Sequence, residues 1–161
     1  MNAIEKAAAS LDIGALEKAK LTKENICGAL LSACSAHDPD PKRQLKIIRY
    51  LVKKGADVNE MDKNGVTCLH RAVRFRSPAA VNELLKLGAE INRQDKKSHS
   101  TALHRAVTHT GAPKTKNKDD EIKEIVEILL AGGADPKLKN RLGKKPIDYV
   151  KDARLKKLIG K

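Results

Sequence analysis

The chain has 161 residues, long enough for one domain with a core of its own. Its 33 Lys and Arg against 20 Asp and Glu leave a net charge of +13, which favours anionic partners and says nothing of fold. The aromatics are Tyr50, Phe75 and Tyr149. So small a supply of large fillers speaks against one thick globular core and for thin layers of small helices, each buried on its neighbours.

The segment Thr67-Cys68-Leu69-His70-Arg71-Ala72-Val73 returns 34 residues later as Thr101-Ala102-Leu103-His104-Arg105-Ala106-Val107. Each copy is followed by a Gly-Ala-acid ending, at 88–90 and 133–135, and the same ending stands at 55–57. Self-similarity at this spacing marks a stack of supersecondary units. Residues 1–22 read as a degenerate first unit. Ile4, Ala7, Ala8 and Leu11 space one helical face, and Asp12 is placed to cap a second helix carrying Ala15, Leu16 and Ala19. Glu5 and Lys6 interrupt the start, so no secretory leader is expected and a cytoplasmic protein is. No apolar run of about 18 residues exists to span a bilayer.

Residues 23–59 follow as the next unit. Thr22 and Asn25 signal a helix start, and Ile26, Leu30, Ala33 and Cys34 form its buried stripe. A second helix from Gln44 to Lys53 turns Leu45, Ile48, Leu51 and Val52 inward. Between them His37-Asp38-Pro39-Asp40-Pro41 predicts an exposed loop, because two prolines oppose helix. Residues 60–92 are the cleanest unit: Gly65 suits a turn needing positive φ, Thr67 caps the first helix, His70 is placed to bond across the turn, and Ser77-Pro78 opens the second helix.

Residues 93–137 repeat the scheme with two departures. The turn from Asp95 to Thr101 is one residue longer and has no glycine at its tip. A polar insertion with Pro and Gly, about residues 110–121, predicts a surface loop before Ile122, Ile125, Val126, Leu129 and Leu130 resume the stripe. Residues 138–161 read as a C-terminal cap whose last helix, Ala153 to Ile159, shows Arg154, Lys156 and Lys157 to water. Residues 137–161 hold 10 basic and 2 acidic residues, a local net charge of +8.

Little here points to chemistry. Cys27, Cys34 and Cys68 lie among apolar residues and read as buried, reduced thiols. The period explains His70 and His104 as structural residues. His99, His104 and His109 fall five apart, without the spacing or companions of a metal site. No phosphate-binding loop or nucleophile motif occurs. No catalytic residue, metal or cofactor is expected.

Asp62, Gly65, Thr67, Leu69, His70, Ala72, Val81, Leu84, Leu85, Gly88, Ala89 and Asn92 fall on one pattern without a gap. On these residues the chain resembles the ankyrin-repeat family over nearly its whole length. Cys68 departs from the family's proline, and Arg76 from the glycine that ends the first helix. The resemblance implies an all-α ankyrin-repeat solenoid of helix-turn-helix units with β-hairpin or turn fingers. It implies about five repeats in a single domain over 1–161, with bounds 1–22, 23–59, 60–92, 93–137 and 138–161 and degenerate caps at both ends. It further implies non-enzymatic protein–protein interaction by a monomer acting as adaptor, scaffold or inhibitor, and short free-standing members also include host-directed effectors of bacteria and viruses.

Carried over residue by residue, the contact positions are the fingertips Met61, Lys63, Asn64 and Val66, then Lys96, Lys97 and His99, then Arg141, Leu142 and Lys144. The exposed first-helix positions are Arg71, Arg74 and Phe75, then Arg105, Thr108 and His109. Cations dominate this set, so an acidic protein partner is expected, with Arg71 and Arg105 as paired forks for its carboxylates and Phe75 as an apolar anchor. The alternative is nucleic acid or an anionic membrane, favoured by the +13 charge through counterion release but without an evident aromatic platform.

Overall fold

The computed structural model describes residues 1–36, 40–108 and 119–160. The helices are α1 (Ala3–Ala9), α2 (Ile13–Lys18), α3 (Lys23–Ile26), α4 (Ala29–Cys34), α5 (Pro41–Lys53), α6 (Cys68–Arg74), α7 (Pro78–Lys86), α8 (Ala102–Val107), α9 (Asp119–Ala131) and α10 (Ala153–Ile159), with a 3-10 turn at Pro146–Tyr149. They stack in two layers. In one, α1 packs on α4, α4 on α6, α6 on α8 and α8 on the 3-10 turn; in the other, α5 packs on α7, α7 on α9 and α9 on α10. The layers meet where α4 lies on α5, α6 on α7 and α8 on α9. Leu30, Ile48, Leu51, Leu69, Leu84, Leu103, Ile125 and Leu129 fill the seam with almost no exposure. Each such side chain contributes about 2 kcal/mol by leaving water.

Local chemistry explains the regular parts. The Thr67 and Thr101 hydroxyls accept the N–H of His70 and His104, each at 3.3 Å, while the imidazole Nδ1 accepts the threonine N–H at 3.3 and 3.2 Å. Each short helix therefore starts with a reciprocal cap. Ser77 and Pro78 open α7 in the same local way. The glycine missing after α6 is not replaced by a different backbone: Arg76 itself adopts φ +54°, and His99 adopts φ +51° at the longer, glycine-free turn.

Three expectations need correction. The first helix of the second unit is broken in two, because Gly28 at φ +81° ends α3 and restarts the chain as α4. Cys27 lies at that break and is exposed, whereas Cys34 and Cys68 are buried. Second, Pro41 does not prolong a loop: Asp40 caps and Pro41 opens α5, three residues before Gln44. The helix then buries Gln44 and Ile47 and leaves Leu45 and Val52 half-buried. The Gln44 amide donates to the carbonyls of Ala33 and Ala36 at 3.0 and 3.1 Å and accepts the Ser77 hydroxyl at 2.7 Å, which makes its burial tolerable. Third, residues 119–121 belong to α9, whose acidic first turn suits the helix dipole. The rest of the predicted insertion, 110–118, lies outside the described residues, as do 37–39. Among the described residues no helix is long and apolar enough to cross a membrane.

Candidate functional site

Three turns project from the first-helix layer, and each is organised by one side chain. In the first finger, 61–67, the Asp62 carboxylate accepts the N–H of Asn64 at 2.8 Å and of Val66 at 3.0 Å, then the Arg71 guanidinium at 2.9 Å. In the second, 95–101, Asp95 is fully inaccessible at its side chain and accepts from Lys97 N–H (3.0 Å), Ser98 N–H (2.6 Å), the Ser98 hydroxyl (2.7 Å) and Arg105 (3.2 Å). Burial pushes both carboxyls up, but these bonds and the arginine charge more than offset it, and both lie below the ordinary aspartate value. In the third, 140–145, Asn140 stands in the same place. Its carbonyl oxygen accepts Leu142 N–H at 3.0 Å and Lys144 N–H at 3.1 Å, and its amide donates to the Tyr149 hydroxyl at 2.7 Å. Tyr149 takes the position of Arg71 and Arg105, so a neutral Asn–Tyr pair replaces an Asp–Arg pair.

The fingers are joined edge to edge. Lys96 N–H donates to the Asn64 carbonyl and Arg141 N–H to the Ser98 carbonyl, both at 2.9 Å. Gly65 permits this approach: it sits at φ +74°, and a Cβ there would lie 2.8 Å from the Lys96 backbone nitrogen. The buried imidazoles add a second tie, each Nε2–H donating to the next finger, His70 to the Ser100 carbonyl at 2.9 Å and His104 to the Lys144 carbonyl at 3.0 Å. With Nδ1 accepting the threonine N–H, both rings are neutral. Burial pushes His70 down to about 4 and also lowers His104. On the far side, Asn59 and Asn92 repeat the scheme, accepting Glu90 N–H and Asp135 N–H at 2.8 Å and donating to the Gly88 and Gly133 carbonyls.

This scaffold carries the expected contact residues in two conditions. Lys63, Asn64, Lys96, Lys97, His99, Arg141 and Lys144 are exposed on the fingers, as is Arg74 at the end of α6. Met61 is 38% exposed, and Val66 is half-buried. Arg71 and Arg105 are half-buried, and each holds an aspartate of its own finger, so neither is a loose fork. Phe75 is half-buried as the C-cap of α6. His109 lies outside the described residues.

Arg74, Lys97, Arg105, Thr108 and Arg141 come together around a cleft of about 500 Å³ between the second and third fingers. Ser98, Ser100, Asn140 and Tyr149 complete its wall and were not singled out from sequence, although Asn140 and Tyr149 stand at the periodic places of Asp62 and Arg71. Leu142 borders the cleft at 77% exposure. Met61, Lys63, Asn64, Val66 and Phe75 are not part of that wall, and neither are Lys96, His99 and Lys144.

The family model for ankyrin repeats (3 copies) matches residues 7–95 and 44–140. Rabankyrin-5 of Mus musculus is 30% identical over 106 residues, which cover 66% of this chain and 9% of that protein. An ankyrin repeat protein of fowlpox virus is 39% identical over 108 residues, covering 66% of this chain and 28% of the viral one. The chain thus spans a small part of the length of these relatives. Among solved structures, the ankyrin repeat domain of Bcl-3, described as a unique member of the IkappaB protein family, superposes with a TM-score of 0.75 at 25% identity, over all of this chain and 68% of that one. Stacked helix pairs, capped Thr-to-His starts, joined fingers and these matches agree: the chain belongs to the ankyrin-repeat family.

Proposed function

We propose that the chain is a non-enzymatic protein-binding module, an adaptor, scaffold or inhibitor, that holds an acidic partner protein against its fingers and first helices. One observation carries the reading. Each finger spends its acidic or amide side chain inward on its own backbone, through Asp62, Asp95 and Asn140, and leaves its lysines outward at Lys63, Lys96, Lys97 and Lys144. The face is positive because its acids are consumed by the fold, and the joined fingers hold those cations on a rigid edge. Such a surface selects partners by charge and speeds their encounter. Nucleic acid is the competing reading, because +8 of the +13 lies in residues 137–161.

The test is affinity capture from lysate with and without nuclease, comparing wild type with the variant Lys63→Glu/Lys97→Glu/Lys144→Glu. These side chains make no internal bond among the described residues, so the melting midpoint should hold. A protein captured through nuclease treatment and lost in the variant is the expected result. Capture that disappears with nuclease would transfer the function to nucleic acid.

A further inference from the structure

Resting on that reading, we propose that the centre of the contact is the cleft between the second and third fingers, and that its occupant is a partner segment in which carboxylates flank one large apolar side chain. Two features of the cleft make the argument. The first is charge. Arg74, Lys97, Arg105 and Arg141 line it, and among the described residues no carboxylate does. Arg105 shares its charge with the buried Asp95. Arg141 is held instead by a neutral group, its guanidinium donating to the Lys96 carbonyl at 3.1 Å, so its charge is fixed in place without being cancelled by that contact.

The second feature is an apolar wall that the periodic pattern does not require. Where the two preceding units place Arg71 and Arg105, this one places Tyr149. Its hydroxyl is held by Asn140 at 2.7 Å and its ring meets His104 edge to face at 6.4 Å. From the same finger Leu142, 77% exposed, also lines the cleft, on a turn that is not loose: Asn140 accepts its N–H at 3.0 Å and Gly143 follows at φ +70°. A large aliphatic side chain held in water on an ordered tip, beside a fixed ring, is surface whose burial favours binding without a further ordering cost. Cations around an apolar centre are complementary to an acidic segment with an apolar anchor. Nucleic acid fits less well, because bases stack on open aromatic faces and Tyr149 is half-buried against His104.

The experiment uses the full chain, labelled with 15N, and three acetylated, amidated pentapeptides: Glu-Glu-Leu-Glu-Glu, Gln-Gln-Leu-Gln-Gln and Glu-Glu-Ser-Glu-Glu. The expected result is amide shifts at Ser98, Ser100, Leu142 and Tyr149 with the first peptide, and binding about tenfold weaker with each of the others. Leu142→Ser should weaken the first peptide by a similar factor at an unchanged melting midpoint, and Arg74→Glu should do the same. Equal binding of the glutamine peptide, shifts gathered on residues 151–157, or tighter binding of a decathymidylate at the cleft would each overturn the proposal. Capture separates its failure from failure of the broader reading. A protein partner lost in the triple finger variant but kept by Leu142→Ser leaves the face standing and removes the cleft, whereas indifference to both removes the face.

Discussion

Gly65 and Gly143 occupy the same place in the first and third fingers, at φ +74° and +70°, and only one of them is crowded. A Cβ at Gly65 would lie 2.8 Å from Lys96 N and 2.7 Å from Lys96 Cγ, whereas a Cβ at Gly143 would meet nothing within 4 Å. Alanine at either position suffers the left-handed backbone, about 1 kcal/mol. At Gly65 the backbone of the next finger must also retreat, which adds about 1 kcal/mol for the Lys96–Asn64 hydrogen bond and about 1 kcal/mol or more of overpacking. Gly65→Ala should therefore cost about 3 kcal/mol and Gly143→Ala about 1 kcal/mol, the difference being the strength of finger-to-finger contact. Urea melts followed by circular dichroism read both, with the midpoint falling and the slope held. Equal costs would refute the reasoning, since they would mean that the fingers do not bear on one another.

Further outcomes are expected from pH and from three substitutions. His70 has a folded pKa of about 4 against the ordinary 6.5, so the unfolded chain takes up a proton that the native ring refuses. Its stability contribution is complete above pH 6.5 and is lost as pH falls from 6.5 towards 4, by about 3 kcal/mol; urea midpoints should drop across that window, less so in His70→Asn, and a flat wild-type profile would contradict the neutral, buried ring. Asp62, Asp95 and Glu83, all held below their ordinary values, lose their contributions only at lower pH, as it falls through their folded values. Glu60→Ala should cost about 1 kcal/mol, because Gly28 offers α4 no side-chain cap and the Glu60 carboxylate accepts Gly28 N–H at 3.2 Å and Leu31 N–H at 3.0 Å in its stead; hydrogen exchange should quicken in α4 first. Leu103→Ala should cost about 2–5 kcal/mol in the same melts, since its side chain is almost wholly buried between α8 and its neighbours. Arg105→Glu should lower the midpoint by setting a second carboxylate against the enclosed Asp95, and an unchanged midpoint would show that the Asp95–Arg105 pair is dispensable.

What the sequence by itself determined is most of what is written within one unit, though not the helix break at Gly28 or the early starts of α5 and α9. The threonine starts, the Ser77-Pro78 opening, the leucine and isoleucine stripes and the glycine turn at 65 depend on residues a few positions apart, whose physical chemistry is the same wherever the unit sits, and the 34-residue period repeats them along the chain. Even the departures at Arg76 and Asp95–Thr101 were legible as missing glycines, though not the left-handed Arg76 and His99 that took their place. Tertiary structure decided what passes between units. Glu60 caps a helix 29–32 residues upstream, Arg49 grips Glu83 with two bonds of 2.7 and 2.8 Å, and the fingers join at Lys96–Asn64 and Arg141–Ser98. Those contacts sort the cations that composition counts alike: Arg71 and Arg105 bind inward, while Arg74 and the fingertip lysines stay exposed. They also turn Asn140, Leu142 and Tyr149, which looked like a fading last repeat, into one wall of a cleft. The physical reason is that partners about one period apart meet only when stacking sets the offset of one unit on the next, and no local propensity encodes that offset.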